Sequence, residues 1–276
     1  MIKRENLIPV YLTGLTAICL SCDHQAPAVK PNIVLILADD MGWGDISLNG
    51  NKYVETPVLT YLAKQSLSFD RFYVCPLSAP TRAELLTGRY FLRTGVSSVT
   101  RGYENMRTDE VTLAEILKDN GYSTGCFGKW HNGGYYRQHP NRQGFDEFVG
   151  FCMGHLGYYF DAEYLHNDEV IKSSGYTTDY FTEKAIDFID RNKERPFLCY
   201  VPYNVPHSPF QVPEKYFNKY LSLGLDSTLS SVYGMMENMD ENIGLILNKL
   251  DESKLADNTI VIFLSDNGPN TIRYNG

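Results

Sequence analysis

The chain has 276 residues and a mass of 31.4 kDa, room for one large domain or two small ones. Charged residues make up 21% and hydrophobic residues 43%, a balance that excludes wholesale disorder. With 25 basic against 33 acidic side chains, the formal net charge is -8, so no basic surplus exists to meet a nucleic-acid backbone.

Lys3 and Arg4 precede an apolar run over residues 7–20, softened by Pro9, Thr13, Gly14 and Thr16 and ending at Ser21-Cys22. A basic start before an apolar stretch too short to stay as a membrane-spanning helix has the plan of a secretory signal. Ser21 directly before Cys22 matches a bacterial lipoprotein box, except that Cys19 stands where Leu is usual. The expectation is export to the periplasm or the cell surface, with Cys22 lipidated and no other membrane contact. Residues 1–22 are read as the signal, and 23–31, polar and punctuated by proline, as a tether. Cys75, Cys126, Cys152 and Cys199 are too widely spread to read as a disulfide framework.

Asn32 opens a continuous apolar run, 33–38, which predicts a strand buried on both faces of a parallel sheet. Thr56-Pro57 predicts a helix start with Thr as N-cap, running through Leu62 and Ala63. Residues 69–74 read as a strand, and Pro80 as the first position of a helix that Gly88 stops. Thr112 opens an amphipathic helix ending at Asn120-Gly121, with a strand over 122–127 behind it. A helix over 179–192 leads to a strand over 197–201. The longest helix is predicted at 228–250 and a second strongly buried strand at 259–264. This alternation predicts an α/β fold with a doubly wound sheet, whose ligands gather at the carboxyl ends of the strands.

The residues just after the strands are therefore the candidates. Asp39 and Asp40 follow the first strand, and Asp266 and Asn267 the last; such oxygen pairs suit a hard cation such as Ca2+ or Mg2+. Either pair alone would serve equally well as a turn or helix cap. In Ser78-Ala79-Pro80-Thr81-Arg82, Ser78 stands beside a helix N-terminus that favours an anion, and Arg82 adds a fixed positive charge. A plain cap would also use serine. No Ser-His-Asp triad surrounds it.

In Gly128-Lys129-Trp130-His131-Asn132-Gly133, Lys129 and His131 face one site if the segment stays extended. In Val205-Pro206-His207-Ser208-Pro209 the prolines restrict His207. His24, His139, His155 and His166 lack such framing and are read as structural or surface residues. Gly121, Gly125 and Gly128 resemble a phosphate-cradling loop only weakly. The aromatic stretch 151–160 reads first as a packed insert and second as the wall of a sugar pocket.

In combination, five pieces resemble the motifs of the type I sulfatases, in that family's order. They are Ala38-Asp39-Asp40-Met41-Gly42, Ser78-x-Pro80-Thr81-Arg82 running into Leu86-Thr87-Gly88-Arg89, Gly128-Lys129-Trp130-His131, Pro206-His207-x-Pro209 and Ser265-Asp266-Asn267-Gly268. The resemblance implies an alkaline-phosphatase-like fold and hydrolysis of a sulfated carbohydrate or an aryl sulfate. It implies that Ser78 is oxidised to formylglycine by a radical-type maturing enzyme, the hydrated aldehyde then attacking sulfur. Asp39, Asp40, Ser78, Asp266 and Asn267 would hold Ca2+, and Arg82 would steady the developing charge. Lys129 and His131 would contact the modified residue and the sulfate, with His207 the proton donor to the leaving alcohol. Cys75 does not fit the motif, because Pro76 follows it directly.

The family continues beyond the final Arg273-Tyr274-Asn275-Gly276 with a second sulfate-binding lysine and a smaller subdomain. Residues 32–276 are accordingly expected to be a catalytic domain truncated at its C-terminal end. The alternatives are a phosphate or phosphonate ester hydrolase of the same superfamily, and a non-catalytic, lipid-anchored glycan-binding remnant.

Overall fold

The computed structural model describes residues 30–270, so the signal, Cys22, most of the tether and residues 271–276 lie outside the described residues. Its strands are β1 (Asn32–Asp39), β2 (Ser123–Lys129), β3 (Glu147–Phe151), β4 (Glu163–His166), β5 (Glu169–Lys172), β6 (Phe197–Pro206) and β7 (Thr259–Ser265). They form one sheet in the order β5-β4-β3-β2-β6-β1-β7. β3, β2, β6, β1 and β7 run parallel, and β4 and β5 add an antiparallel hairpin at one edge. The helices are α1 (Pro57–Lys64), α2 (Ser78–Thr87), α3 (Leu113–Asp119), α4 (Thr177–Asn192), α5 (Glu214–Ser222) and α6 (Ser227–Glu252).

The unbroken apolar run of β1 is explained by its two buried faces. Val34, Ile36 and Ala38 join one core with Phe181, Ala185 and Phe188 of α4. Met236, Met239, Ile243, Ile246 and Leu250 of α6, spaced three or four apart, complete that layer. Leu35 and Leu37 point to the opposite face, where Ala79, Ala83 and Leu86 of α2 and Ala114 of α3 cover them. Helices on both faces and a mostly parallel sheet bear out the doubly wound expectation.

Several local expectations need correction. Residues 69–74 form no strand: Phe69, Phe72 and Tyr73 are exposed, and no neighbouring strand meets them. Aromatic residues favour an extended chain only where a sheet can bury one face. Pro80 is the third residue of α2, not the first; Ser78 itself opens the helix. The first turn has no intrahelical use for its N–H groups, so proline fits there too.

β7 is an edge strand, with Ile260 and Ile262 exposed and only alternate residues turned to the cores. Thr56 does precede α1, but its hydroxyl bonds Ser47, and the carboxylate of Asp240 takes the amides of Val58 and Leu59, each at 2.8 Å. Thr112, by contrast, makes the full reciprocal cap with Glu115. Gly125 and Gly128 lie inside β2, not in a phosphate loop. A Cβ on Gly128 would fall 2.1 Å from the Pro202 carbonyl oxygen of β6, so close backbone approach requires that glycine.

Candidate active site

Two parallel strands stop side by side. Ala38 of β1 is in register with Ser265 of β7, and the Asp266 amide then bonds the Ala38 carbonyl at 3.0 Å. Asp40, in the left-handed region at φ 65°, donates its own amide to Asp266 Oδ1 at 3.2 Å. Asp39, Asp40 and Asp266 thereby each offer a carboxylate oxygen within 4.8 Å of the others. Asn267 Nδ2 donates to Asp40 Oδ1 at 2.6 Å, while Asn267 Oδ1 is buried with no hydrogen-bond partner.

The N-terminus of α2 points into the same place. Ser78 Oγ donates to Asp266 Oδ2 at 2.5 Å and accepts from Arg82 Nε at 3.0 Å. Arg82, one turn on and wholly buried, reaches Asp266 at 2.8 Å and Asp39 at 3.4 Å, and donates to the Lys129 carbonyl at 2.9 Å. Lys129 at the end of β2 sets its Nζ 2.7 Å from both oxygens of Asp39. Burial alone would raise Asp266, but Arg82, then Lys129 and the Ser78 hydroxyl, outweigh it and hold the carboxyl well below its usual range. Burial raises the Asp39 carboxyl against the pull of Lys129.

His131 does not sit in an extended segment; it has φ 59°, which turns Trp130 into the core while Lys129 and His131 still reach one pocket. Its Nε2 lies 2.9 Å from the Val99 carbonyl and its Nδ1 3.2 Å from Ser78 Oγ. A carbonyl only accepts, so Nε2 carries the proton and Nδ1 presents a lone pair. Burial, with Lys129 and Arg82 nearby, lowers the pKa well below the ordinary imidazole value, which keeps the ring neutral. Gly154 makes room for it: a Cβ there would stand 2.6 Å from His131 Nε2.

His207 follows β6. Its Nδ1 donates to the Ser208 carbonyl at 2.6 Å, leaving Nε2 to face the pocket 3.8 Å from Asp40 Oδ2. The peptide bonds before Pro206 and Pro209 are both cis. Tyr159 fastens this loop, its hydroxyl lying 2.8 Å from the His207 carbonyl and 3.0 Å from that of Ser208.

The site residues singled out in the described chain thus converge: Asp39, Asp40, Ser78, Arg82, Lys129, His131, His207, Asp266 and Asn267. Asp40, Ser78, Lys129, His131, His207 and Asn267 line a pocket of about 200 Å³, and Asp39, Arg82 and Asp266 are buried behind them. His155, read from sequence as structural or surface, lines it too and stacks on His207 with ring centroids 6.4 Å apart. Gly154-His155 stands just beyond β3, as Asp40, His131, His207 and Asp266 stand beyond β1, β2, β6 and β7, and that position was the available signal. His139, buried edge-on against Phe148, and His166, beside Glu147, keep their structural roles. Cys75, Cys126, Cys152 and Cys199 are all free thiols.

The donor set fits a hard dication. All of its atoms are oxygens, and the buried, unpartnered Asn267 Oδ1 lacks only a donor or a cation. Three carboxylates face two fixed cations, Arg82 and Lys129, leaving one net negative charge that would repel an anion. A dication reverses that sign, and the pocket then suits an anionic tetrahedral group.

A sequence model of the family described as Sulfatase matches residues 31–275. The chain is 34% identical over 271 residues to an N-acetylgalactosamine-6-sulfatase of Mus musculus, an alignment covering 86% of this chain and 50% of that protein. Among solved structures, Ps i-CgsB in complex with k-i-k-neocarrahexaose superimposes with a TM-score of 0.81 at 33% identity, covering 88% of this chain and 60% of that one. PsFucS1 sulfatase from Pseudoalteromonas sp. gives 0.74 at 25% identity, with 87% and 56% covered. The chain spans about half the length of the curated relatives it matches, as with the 50% of the mouse protein.

Proposed function

This chain belongs to the sulfatase family, and on that premise we propose that it hydrolyses sulfate esters of a carbohydrate or an aryl alcohol. The observation that carries the reading is the setting of Ser78 Oγ, which touches Asp266, Arg82 and His131 within 3.2 Å and has no conventional triad around it. A serine so enclosed by charge suits conversion to formylglycine, by a radical-type maturing enzyme as partner. When present, that group supplies a hydrated aldehyde as nucleophile, and Ca2+ supplies Lewis-acid stabilisation of anionic oxygen. Asp39, Asp40, Asp266 and Asn267 would hold the ion, with the side chain of residue 78 beside it.

The chain's own groups divide the remaining work. Arg82 and Lys129 are fixed, desolvated cations aimed at the pocket, so they stabilise negative charge on a sulfuryl group without having to reorganise. The neutral His131, through its Nδ1 lone pair, accepts a proton from the oxygen carried by residue 78. His207, with Nδ1–H tied to a carbonyl, holds Nε2 beside Asp40, where the doubly protonated ring can give its Nε2 proton to the departing alcohol oxygen. His155 lies nearly parallel to that ring at the pocket mouth, its centroid 6.4 Å away. Export through the basic-apolar leader, with lipidation at Cys22, completes the proposal.

Side-by-side turnover of nitrophenyl sulfate and nitrophenyl phosphate, with mass spectrometry of the peptide spanning Ser78, tests it. The expected result is preference for sulfate and a loss of two hydrogens at Ser78. Preference for phosphate supports an ester hydrolase of the phosphate or phosphonate kind, and an unmodified Ser78 in fully active protein removes the formylglycine.

A further inference from the structure

A second cavity, of about 470 Å³, lies open beside the catalytic pocket between Tyr158, Phe160, Phe210 and Phe217, with Gln211 and Glu214 at its edge. We infer that it binds an uncharged sugar ring of an oligosaccharide whose neighbouring ring presents its sulfate to the catalytic pocket; this rests on the sulfate-ester reading above.

Two stretches of chain connect the cavities. His155 lines the catalytic pocket and Tyr158, three residues on, lines the second; His207 and Phe210 repeat that relation on the facing wall. Three residues of extended chain span at most about 10 Å, so the two cavities stand within reach of adjacent rings of one glycan. The facing walls are tied together before any ligand arrives. Tyr159 N donates to Gln211 Oε1 at 2.8 Å, Tyr176 Oη donates to the Gln211 carbonyl at 2.8 Å, and the Phe160 ring packs on Tyr176 with centroids 5.1 Å apart. A wall held this way loses little freedom on binding.

Its chemistry selects the occupant. The C–H face of a pyranose ring carries slight positive charge and packs on the negative faces of aromatic rings, while the ring hydroxyls need acceptors at the rim. Glu214 provides such an acceptor, and among the described residues the lining contains neither lysine nor arginine. Lys129 lines the first pocket and Arg82 stands behind its Ser78, so a sulfated ring is drawn there and opposed at the second. A carboxylate at the rim also disfavours a hydrocarbon tail.

Saturation-transfer NMR and calorimetry on the full chain, with unsulfated galactose, glucose and N-acetylglucosamine tetrasaccharides as probes, test the assignment. At least one tetrasaccharide should bind, and Tyr158→Ala and Phe217→Ala should each weaken it about tenfold, the loss of one aromatic contact. Tyr158 is half exposed, so that variant is expected to fold. Binding of none of the three, equal affinity in both variants, or uptake of naphthol but no sugar would overturn the proposal. Because the probes carry no sulfate, their binding is read separately from turnover of nitrophenyl sulfate, on which the underlying reading stands or falls.

Discussion

His131 Nδ1 faces Ser78 Oγ at 3.2 Å because its other nitrogen is committed to the Val99 carbonyl at 2.9 Å. One backbone carbonyl therefore fixes which nitrogen of a buried imidazole meets the reacting position. The ring in turn fits only because residue 154 has no side chain.

That dependence makes Gly154→Ala informative. The new methyl group would overlap His131 Nε2 and push the ring off both partners. Displacement of this size typically costs about a hundredfold in rate. The expected outcome is a fall of that order in kcat on nitrophenyl sulfate with an unchanged circular dichroism spectrum; unchanged kcat would show that His131 is not held where it matters.

His207→Ala separates proton donation from binding. A sugar alcohol is a poor leaving group and needs a proton, whereas nitrophenolate leaves without one. Loss of a general acid costs about 10²- to 10⁴-fold where the proton is needed. The variant should therefore lose that factor on a sulfated monosaccharide and far less on nitrophenyl sulfate. Equal losses on both substrates would assign His207 to sulfate binding instead.

Asp266→Ala should damage the fold as well as the proposed metal site. Arg82 is wholly buried and rests on Asp266 at 2.8 Å, so the variant strands a charge in the interior. Breaking such a pair typically costs about 3–5 kcal/mol. Urea unfolding should show a loss of that size, and calorimetric titration with calcium should show binding abolished. Undiminished calcium affinity would remove Asp266 from the ligand set.

Asp240 supplies a pH signature. Burial pushes its carboxyl up to about 6, despite the two α1 amides it accepts. A folded-state value above the unfolded one means that the folded form holds its proton longer. The stability from this group is fully present below the unfolded value and is lost as the pH rises through about 6. Asp240→Asn cannot titrate, so any advantage of the wild type over it should shrink between about pH 4 and about pH 7 in urea unfolding. An advantage that grows over that range would contradict the assignment.

Much of the frame was legible in the sequence for reasons the structure makes physical. The run 33–38 announced a strand buried on both faces, and its two-sided core is what such a run requires. Site residues were legible because parallel strands deliver their next residues to one edge, which brings Asp39, Lys129, His207 and Asp266 together from four strands. The hairpin of β4 and β5 escaped notice: each strand has four residues, half of them charged or His, with the turn at Asn167, φ 55°, as the only cue. The aromatic run 69–74 misled because side-chain type reports strand preference but not whether a neighbouring strand exists. His155 was legible only as part of the stretch 151–160, whose second reading was the wall of a sugar pocket, because its place beside a residue 52 positions away is a relation no local pattern encodes.

The contact between Asp40 and Asp266 bridges 226 positions of chain. A nascent polypeptide emerging from a ribosome can form β1, α2 and β2 long before residue 266 has been made, yet Arg82 then has no carboxylate from β7's end to rest upon. The N-terminal turn of α2 should consequently stay open to solvent until β7 docks, and the proposed cation site should be complete only afterwards. On the proposed metal site, ion binding would thus act as a timer on synthesis, reporting the arrival of the seventh strand.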